Sequence, residues 1–185
     1  LMTQANNPDM FLIPDPSALL TTLSDQTYIG AYVPHNLVLM SDIHRLKYAM
    51  YLNNDAYEAL KKMIDAMPNE IANDFYVKEA YTSFTDLQYS NPNLAGKDER
   101  QLGHTVSIAS KSIAYHEFET AALLQWLEAH SYEYGFILRY PKRMASSTNH
   151  VYDAHYYRYV GKKNANKIYK ENSCIEEYNQ KEAAE

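Results

Sequence analysis

Residues 125–141 read "QWLEAHSYEYGFILRYP", and this stretch decides the fold. Trp126 and Leu127 continue an apolar stripe begun by Phe118, Ala122 and Leu123. That spacing predicts an amphipathic helix over "HEFETAALLQWLEAHSYEYG", residues 116–135. Gly135 reads as its stop. The strand "FILRY" follows at once, and Pro141 halts it. A helix running straight into a strand, with no regular β-α-β rhythm elsewhere, predicts an α+β fold: a small antiparallel sheet packed with helices.

The flanking sequence fills in the rest. Residues 1–25, rich in Pro and turn formers, read as an extended lead-in. "YVPHNLVLM" holds short apolar runs broken by Pro34. "NDAYEALKKMIDAM" predicts a helix capped by Asn54 or Asp55, with Ala56, Leu60, Met63, Ile64 and Met67 on one face. Alternation at Phe75 and Val77 predicts a strand, and "TVSIAS" a second. The polar segment between them, "QYSNPNLAGKDERQLG", reads as a surface loop, and so does "MASSTNH". "VYDAHYYRYV" is rich in aromatic and β-branched residues and predicts another strand. One helix is expected over "KKNANKIYKENSCIEEYNQ", with a frayed tail at 181–185. The chain therefore divides into a lead-in (1–25), one domain (26–180) and the tail.

Composition narrows the function classes. A chain of 185 residues fits one domain with a real core. Its net charge of -6 argues against a nucleic-acid partner, which needs a basic face. Tyr is abundant, with 18 residues; core packing with wet polar tips explains it, and so does a surface that stacks on sugars or peptides. No apolar run is long enough to span a membrane. No signal peptide is seen, and a chain opening at Leu1 says little about compartment. Cys174 is the lone cysteine, so no internal disulfide forms.

Local motifs for chemistry are sparse. No two of the seven His residues stand in the H-E-x-x-H relation. His150 and His155 are five apart, which in a strand puts them on opposite faces. Cys174 has the acidic neighbours Glu176 and Glu177, which blunt a nucleophile. A G-x-S-x-G elbow is absent, and five scattered Gly build no phosphate loop.

The order of segments, however, resembles a family. "YVPHNLVLM", "YLNNDAYEALKKM", "EAYTSF", "GHTVSIASK", "QWLEAHSYEYGFILRYP", "YDAHYYRYVG" and "CIEEY" occur as in VanY-type D-Ala-D-Ala carboxypeptidases. These are zinc peptidases that trim the peptide stems of peptidoglycan. The likeness covers roughly residues 32 to 178, and its most specific parts are the block from Trp126 to Pro141 and the Arg158–Gly161 run. It implies a Hedgehog/D-Ala-D-Ala-peptidase-like fold.

The same resemblance exposes a degenerate site. The family's first metal motif is S-x-H-x-x-G-x-A-x-D. Aligned on His104 and Ala109, it puts Leu102 at the Ser, Ser107 at the Gly and Lys111 at the Asp ligand. The second motif, E-P-W-H, reads Asp153, Ala154, His155, Tyr156. Asp153 then stands at the general base and Tyr156 at the third ligand, while His155 turns to the other face. Thr82 stands where a Tyr-Arg-Ser motif carries the substrate-holding Arg. Thr82, His104, Lys111, Tyr156 and Arg158 are thus the expected cleft residues. Tyr is a rare zinc ligand, and an ammonium cannot coordinate. Lys111 is expected either to occupy the vacated metal position, paired with Asp153, or to swing out to solvent.

The reading that follows is a zinc-free homologue with no cofactor, binding a peptidoglycan stem peptide or a surface protein. Its extracytoplasmic placement is implied by the family's substrate alone. The alternative is an active zinc D-Ala-D-Ala or L,D-carboxypeptidase with a non-standard ligand set of His104 and His155, with or without His150.

Overall fold

Alternating apolar residues build the centre of the molecule. The computed structural model describes residues 10–184. Two pairs of short strands precede the main sheet. β1 (Phe11–Leu12) runs parallel to β2 (Thr27–Tyr28), and β3 (Leu37–Leu39) pairs antiparallel with β4 (Tyr51–Asn53). The main sheet is formed by β5 (Phe75–Glu79), β6 (Thr105–Ser110), β7 (Phe136–Tyr140) and β8 (Asp153–Tyr159). Its order is β5-β6-β8-β7, with every neighbour antiparallel. The small antiparallel sheet expected from the sequence is present.

Helices cover both faces. α1 (Asn54–Asp65) buries Ala56, Leu60 and Met63, as its period predicts. Its cap is Asn53, one residue earlier than expected, whose side chain accepts from the amides of Asp55 (2.9 Å) and Ala56 (3.3 Å). α2 (Asn69–Asp74) leads into β5, and α3 (Phe84–Ser90) follows it. The expected 116–135 helix is shorter. A 3₁₀ turn over Tyr115–Thr120 precedes α4 (Ala122–His130), and another over Ser131–Tyr134 ends at Gly135. Ala122 lies exposed, while Ala121 and Leu124 join the buried stripe. α1 and α4 pack on one side of the sheet around Leu52, Leu60, Val77, Ile108, Leu127 and Tyr157.

A smaller core gathers Ile137, Val160, Ala165, Ile168, Ile175 and Tyr178. It joins β7 to α6 (Lys162–Glu171) and α7 (Ile175–Glu182), and a short α5 (Ala145–Thr148) fills part of the expected "MASSTNH" loop. The single C-terminal helix of the sequence reading is therefore two. Asn172 takes the left-handed conformation (φ 55°) and caps α6 with its amide on Ile168 and Tyr169. α7 also runs two residues into the expected tail.

The described part of the lead-in holds β1 and a series of turns, and it is fastened down. Its Leu19 and Thr21 carbonyls accept from Arg158 Nη2 (3.0 and 3.1 Å), and Leu20 O accepts from Asn179 (2.9 Å). The polar segment before β6 also departs from expectation. Its C-terminal part is buried, not a surface loop: Glu99, Gln101 and Leu102 are all inside. Gln101 explains how a polar side chain is tolerated there. Its Nε2 donates to the carbonyls of Gly30 (2.8 Å) and Tyr32 (3.0 Å), and its Oε1 accepts from Gly96 N (3.0 Å).

Candidate functional site

β6 and β8 lie side by side, with Ser107 opposite Tyr156 and Thr105 opposite Arg158. Residues directly opposed in an antiparallel pair share a face. Ser107 and Tyr156 therefore stand together. Below them, Arg158 is fully buried and serves the scaffold. Its Nη1 and the Nε of Arg139, from β7, both donate to Glu99 Oε2 at 2.9 Å. Arg139 also reaches Glu99 Oε1 (2.7 Å) and Glu176 of α7 (2.6 and 3.1 Å). Burial alone would push the Glu99 carboxyl up, but the two guanidiniums overrule it and hold it down at about 2. Arg158 is thus an anchor beneath the cleft and not one of its lining residues.

The charged centre of the cleft is Arg100, which the sequence reading passed over. It sits in a 3₁₀ turn (Glu99–Leu102) capped by Asp98, whose Oδ1 accepts from Arg100 N at 2.8 Å. The Asp98 carboxylate also grips the guanidinium itself, at Nε (3.0 Å) and Nη2 (2.6 Å). Nη1 pairs with Glu79 Oε2 at 3.0 Å, and the Tyr156 hydroxyl donates to the same oxygen. Burial opposes the Arg100 charge, but Asp98 and Glu79 outweigh it and raise the pKa above its ordinary value. Burial also raises the Tyr156 phenol, against the pull of Arg100 and with help from the Glu79 hydrogen bond, so Tyr156 stays neutral at physiological pH.

A cleft of about 640 Å³ opens over this network, lined among others by Asp98, Arg100, Tyr140, His150, Asp153 and Tyr156. The rings of Tyr140 and His150 stack at 3.8 Å. Asp153 Oδ1 accepts from His155 N (2.9 Å), and its carboxylate lines the cleft.

Other expected site residues lie elsewhere. Lys111 follows the last residue of β6, is exposed, and donates from Nζ to Asn73 O at 2.7 Å. It makes no ion pair with Asp153 within 4.0 Å, so it has swung out and does not fill the metal position. His104 precedes β6; its ring is buried beside Arg158, and its Nδ1 has no partner. Burial, then the Arg158 charge, lower its pKa from 6.5 to about 3. Thr82 Oγ1 donates to Ala80 O (3.2 Å), and Thr82 does not line this cleft. His155 turns away from Tyr156, as expected. It is stacked between Tyr115 (3.6 Å) and Phe118 (4.4 Å), with its ring nitrogens against Ile108 O (2.7 Å) and Tyr115 O (3.0 Å). Among the described residues, no three His, Cys, Asp or Glu are placed to hold a metal ion, so the alternative set of His104, His150 and His155 does not assemble.

Known proteins share this fold and sequence. The family profile described as VanY, D-alanyl-D-alanine carboxypeptidase, matches residues 85–162. YodJ of Bacillus subtilis (strain 168), a candidate carboxypeptidase, is 28% identical over 191 residues, covering 91% of this chain and 70% of YodJ. A D-alanyl-D-alanine carboxypeptidase of Enterococcus faecalis (strain ATCC 700802 / V583) is 34% identical over 124 residues, 66% of this chain and 44% of that protein. The solved structure of the LdcB LD-carboxypeptidase superposes with a TM-score of 0.83 at 26% identity, covering 95% of this chain and 92% of LdcB. The chain is similar to VanY-type carboxypeptidases, in sequence over residues 85–162 and in fold over nearly its whole described length.

Against these relatives the first metal motif has a second register. Read four residues earlier, S-x-H-x-x-G-x-A-x-D falls on Asp98, Arg100, Gly103, Thr105 and Ser107. Gly103 now takes the glycine place, and its backbone requires glycine: φ is +78°, and a Cβ would sit 3.0 Å from Pro34 Cγ and 3.2 Å from Leu37 Cδ2. The two ligand places of this motif become Arg100 and Ser107. Both meet Tyr156, Ser107 across the β6–β8 ladder and Arg100 through Glu79. The register built on His104 and Lys111 puts its ligand places at opposite ends of β6, which no single ion spans. Gly103 was the signal available in the sequence.

This residue set does not fit zinc. A guanidinium has no lone pair to give and cannot be deprotonated in a protein. Ser107 is neutral, and the Tyr156 phenol is held protonated. Zinc sites are built from thiolate, imidazole and carboxylate ligands.

Proposed function

We propose that this chain is a zinc-free VanY-type homologue that has lost D-Ala-D-Ala hydrolysis and keeps its cleft as a binding module for a cell-wall peptide or a surface protein. One observation carries the reading: the three positions matched to the metal ligands hold Arg100, Ser107 and Tyr156, of which Arg100 and Tyr156 are joined through Glu79 and Ser107 lies opposite Tyr156 on the neighbouring strand. Hydrolysis by the family's route needs an ion to polarise the scissile carbonyl and activate water. Asp153 remains at the general-base position but has no activated water to serve. The likeness to LdcB, whose structure concerns peptidoglycan recognition, supports a cell-wall ligand and an extracytoplasmic place of action. The Tyr140, His150 and Tyr156 rings supply faces on which a peptide or sugar packs.

The test is D-Ala release. Purified protein, supplied with zinc and a stem pentapeptide, is expected to release none, while binding of muropeptides to the same sample is followed by calorimetry. Zinc-dependent release that a chelator abolishes would sink the reading.

A further inference from the structure

We propose that Arg100 is a built-in cation occupying the position of the lost metal, and that a metal site is latent beneath it, recoverable by restoring three side chains. This rests on the zinc-free reading above and deepens it. A metal in a site of this kind is a positive charge held by surrounding donor side chains. Here the guanidinium takes that role as the charge being held. Asp98 binds it through two nitrogens and Glu79 through the third. Tyr156, at the third ligand place, donates its hydroxyl to Glu79 and completes the shell of that carboxylate. The group that replaced the metal is therefore fixed by the chain itself, and it carries no exchangeable ligand.

The frame of the old site survives under this substitution. Ser107 and Tyr156 are still directly opposed on neighbouring strands, so side chains placed there project to one face. Gly103 keeps the turn that brings residue 100 back over that face. His at 100 is shorter than Arg and would vacate the space between Asp98 and Glu79. Asp at 107 and His at 156 would complete three ligands of the kind that zinc takes, leaving a fourth position open.

The experiment compares three proteins: the wild type, the variant Arg100→His/Ser107→Asp/Tyr156→His, and the variant Lys111→Asp/Tyr156→His. The last restores ligands in the rejected register around His104. Each is titrated with Co(II), read by its visible d–d bands, and with zinc, read by calorimetry and by the shift in Tm. The triple variant is expected to bind one ion with tetrahedral Co(II) bands and a raised Tm, and the other two to bind none. A folded triple variant without those bands, or binding by the Lys111→Asp/Tyr156→His variant, overturns the inference. If the triple variant does not fold, Arg100→Ala decides. Asp98 and Glu79 would lose their common cation, so its Tm is expected to fall by several degrees and to recover partly with millimolar methylguanidinium. An unchanged Tm overturns the inference. Failure here is distinct from failure of the proposed function, which only D-Ala release by the wild type would bring about.

Discussion

His104 sets a sharp acid limit on stability. Its ring is buried with an unpartnered Nδ1, and its pKa falls from 6.5 to about 3 in the folded state. Because the folded value lies below the unfolded one, the unfolded chain takes up the proton first. The stabilisation is complete above 6.5 and is lost as the pH falls from 6.5 toward 3. Each pH unit in that window costs about 1.4 kcal/mol, so pH 5.0, which lies 1.5 units below 6.5, costs about 2 kcal/mol relative to pH 7.5. In a domain of this size that lowers Tm by roughly 4–8 °C. Glu99 does not intrude, since its own contribution is lost only below 4.5. The assay is urea denaturation at both pH values for the wild type and for His104→Phe, which lacks the titrating ring and leaves no polar atom unpaired. The wild type is expected to lose about 2 kcal/mol more than the variant between pH 7.5 and 5.0. A difference below about 0.5 kcal/mol, the scatter of surface substitutions, would refute the claim that the ring is buried and neutral.

Two further outcomes test the scaffold. Glu99→Gln leaves Arg139 and Arg158 buried with half their counter-charge gone; the expected cost is about 3–5 kcal/mol, read by urea denaturation, and a loss under 1 kcal/mol would show the network is not a buried one. Gly135→Ala puts a Cβ 2.8 Å from the Tyr159 ring and 3.1 Å from the Gly161 carbonyl carbon at φ +91°. It should cost about 2–4 kcal/mol from backbone strain and overpacking together, and a thermal melt that does not move would contradict the left-handed turn between α4 and β7.

Strands were the most legible part of the sequence. "TVSIAS" and "FILRY" became β6 and β7 with their expected bounds, because β-branched and aromatic runs between breakers leave little choice. α1 was equally plain from its period. Legibility failed where pairing rather than hydrophobicity decides burial. Glu99 and Gln101 read as surface residues, yet two arginines and three backbone groups pay for their place inside. The partners lie far along the chain, and composition cannot reveal them. The site divides the same way. The Arg158–Gly161 run set Asp153 and Tyr156 in the second motif, and the structure places both at the same cleft. The first motif slipped because two side-chain matches, His104 and Ala109, outweighed one glycine whose positive φ is a property of the folded backbone. The expected Lys111–Asp153 pair is not formed, since Lys111 points to Asn73 instead.

The fastening of the lead-in has a consequence for the order of events in folding. Its carbonyls at residues 19 to 21 are bonded to Arg158 and Asn179, partners 137 to 159 residues away. Closing so long a loop is entropically costly and comes late. Until β8 and α7 exist, residues 19–21 have nothing to hold, and Arg158 has no carbonyls for its Nη2. On the ribosome, residues 19–21 are made before the sheet, yet they are among the last of the domain to be placed. The finished domain is drawn shut where residues 19–21 meet β8 and α7, with its most buried arginine as the latch.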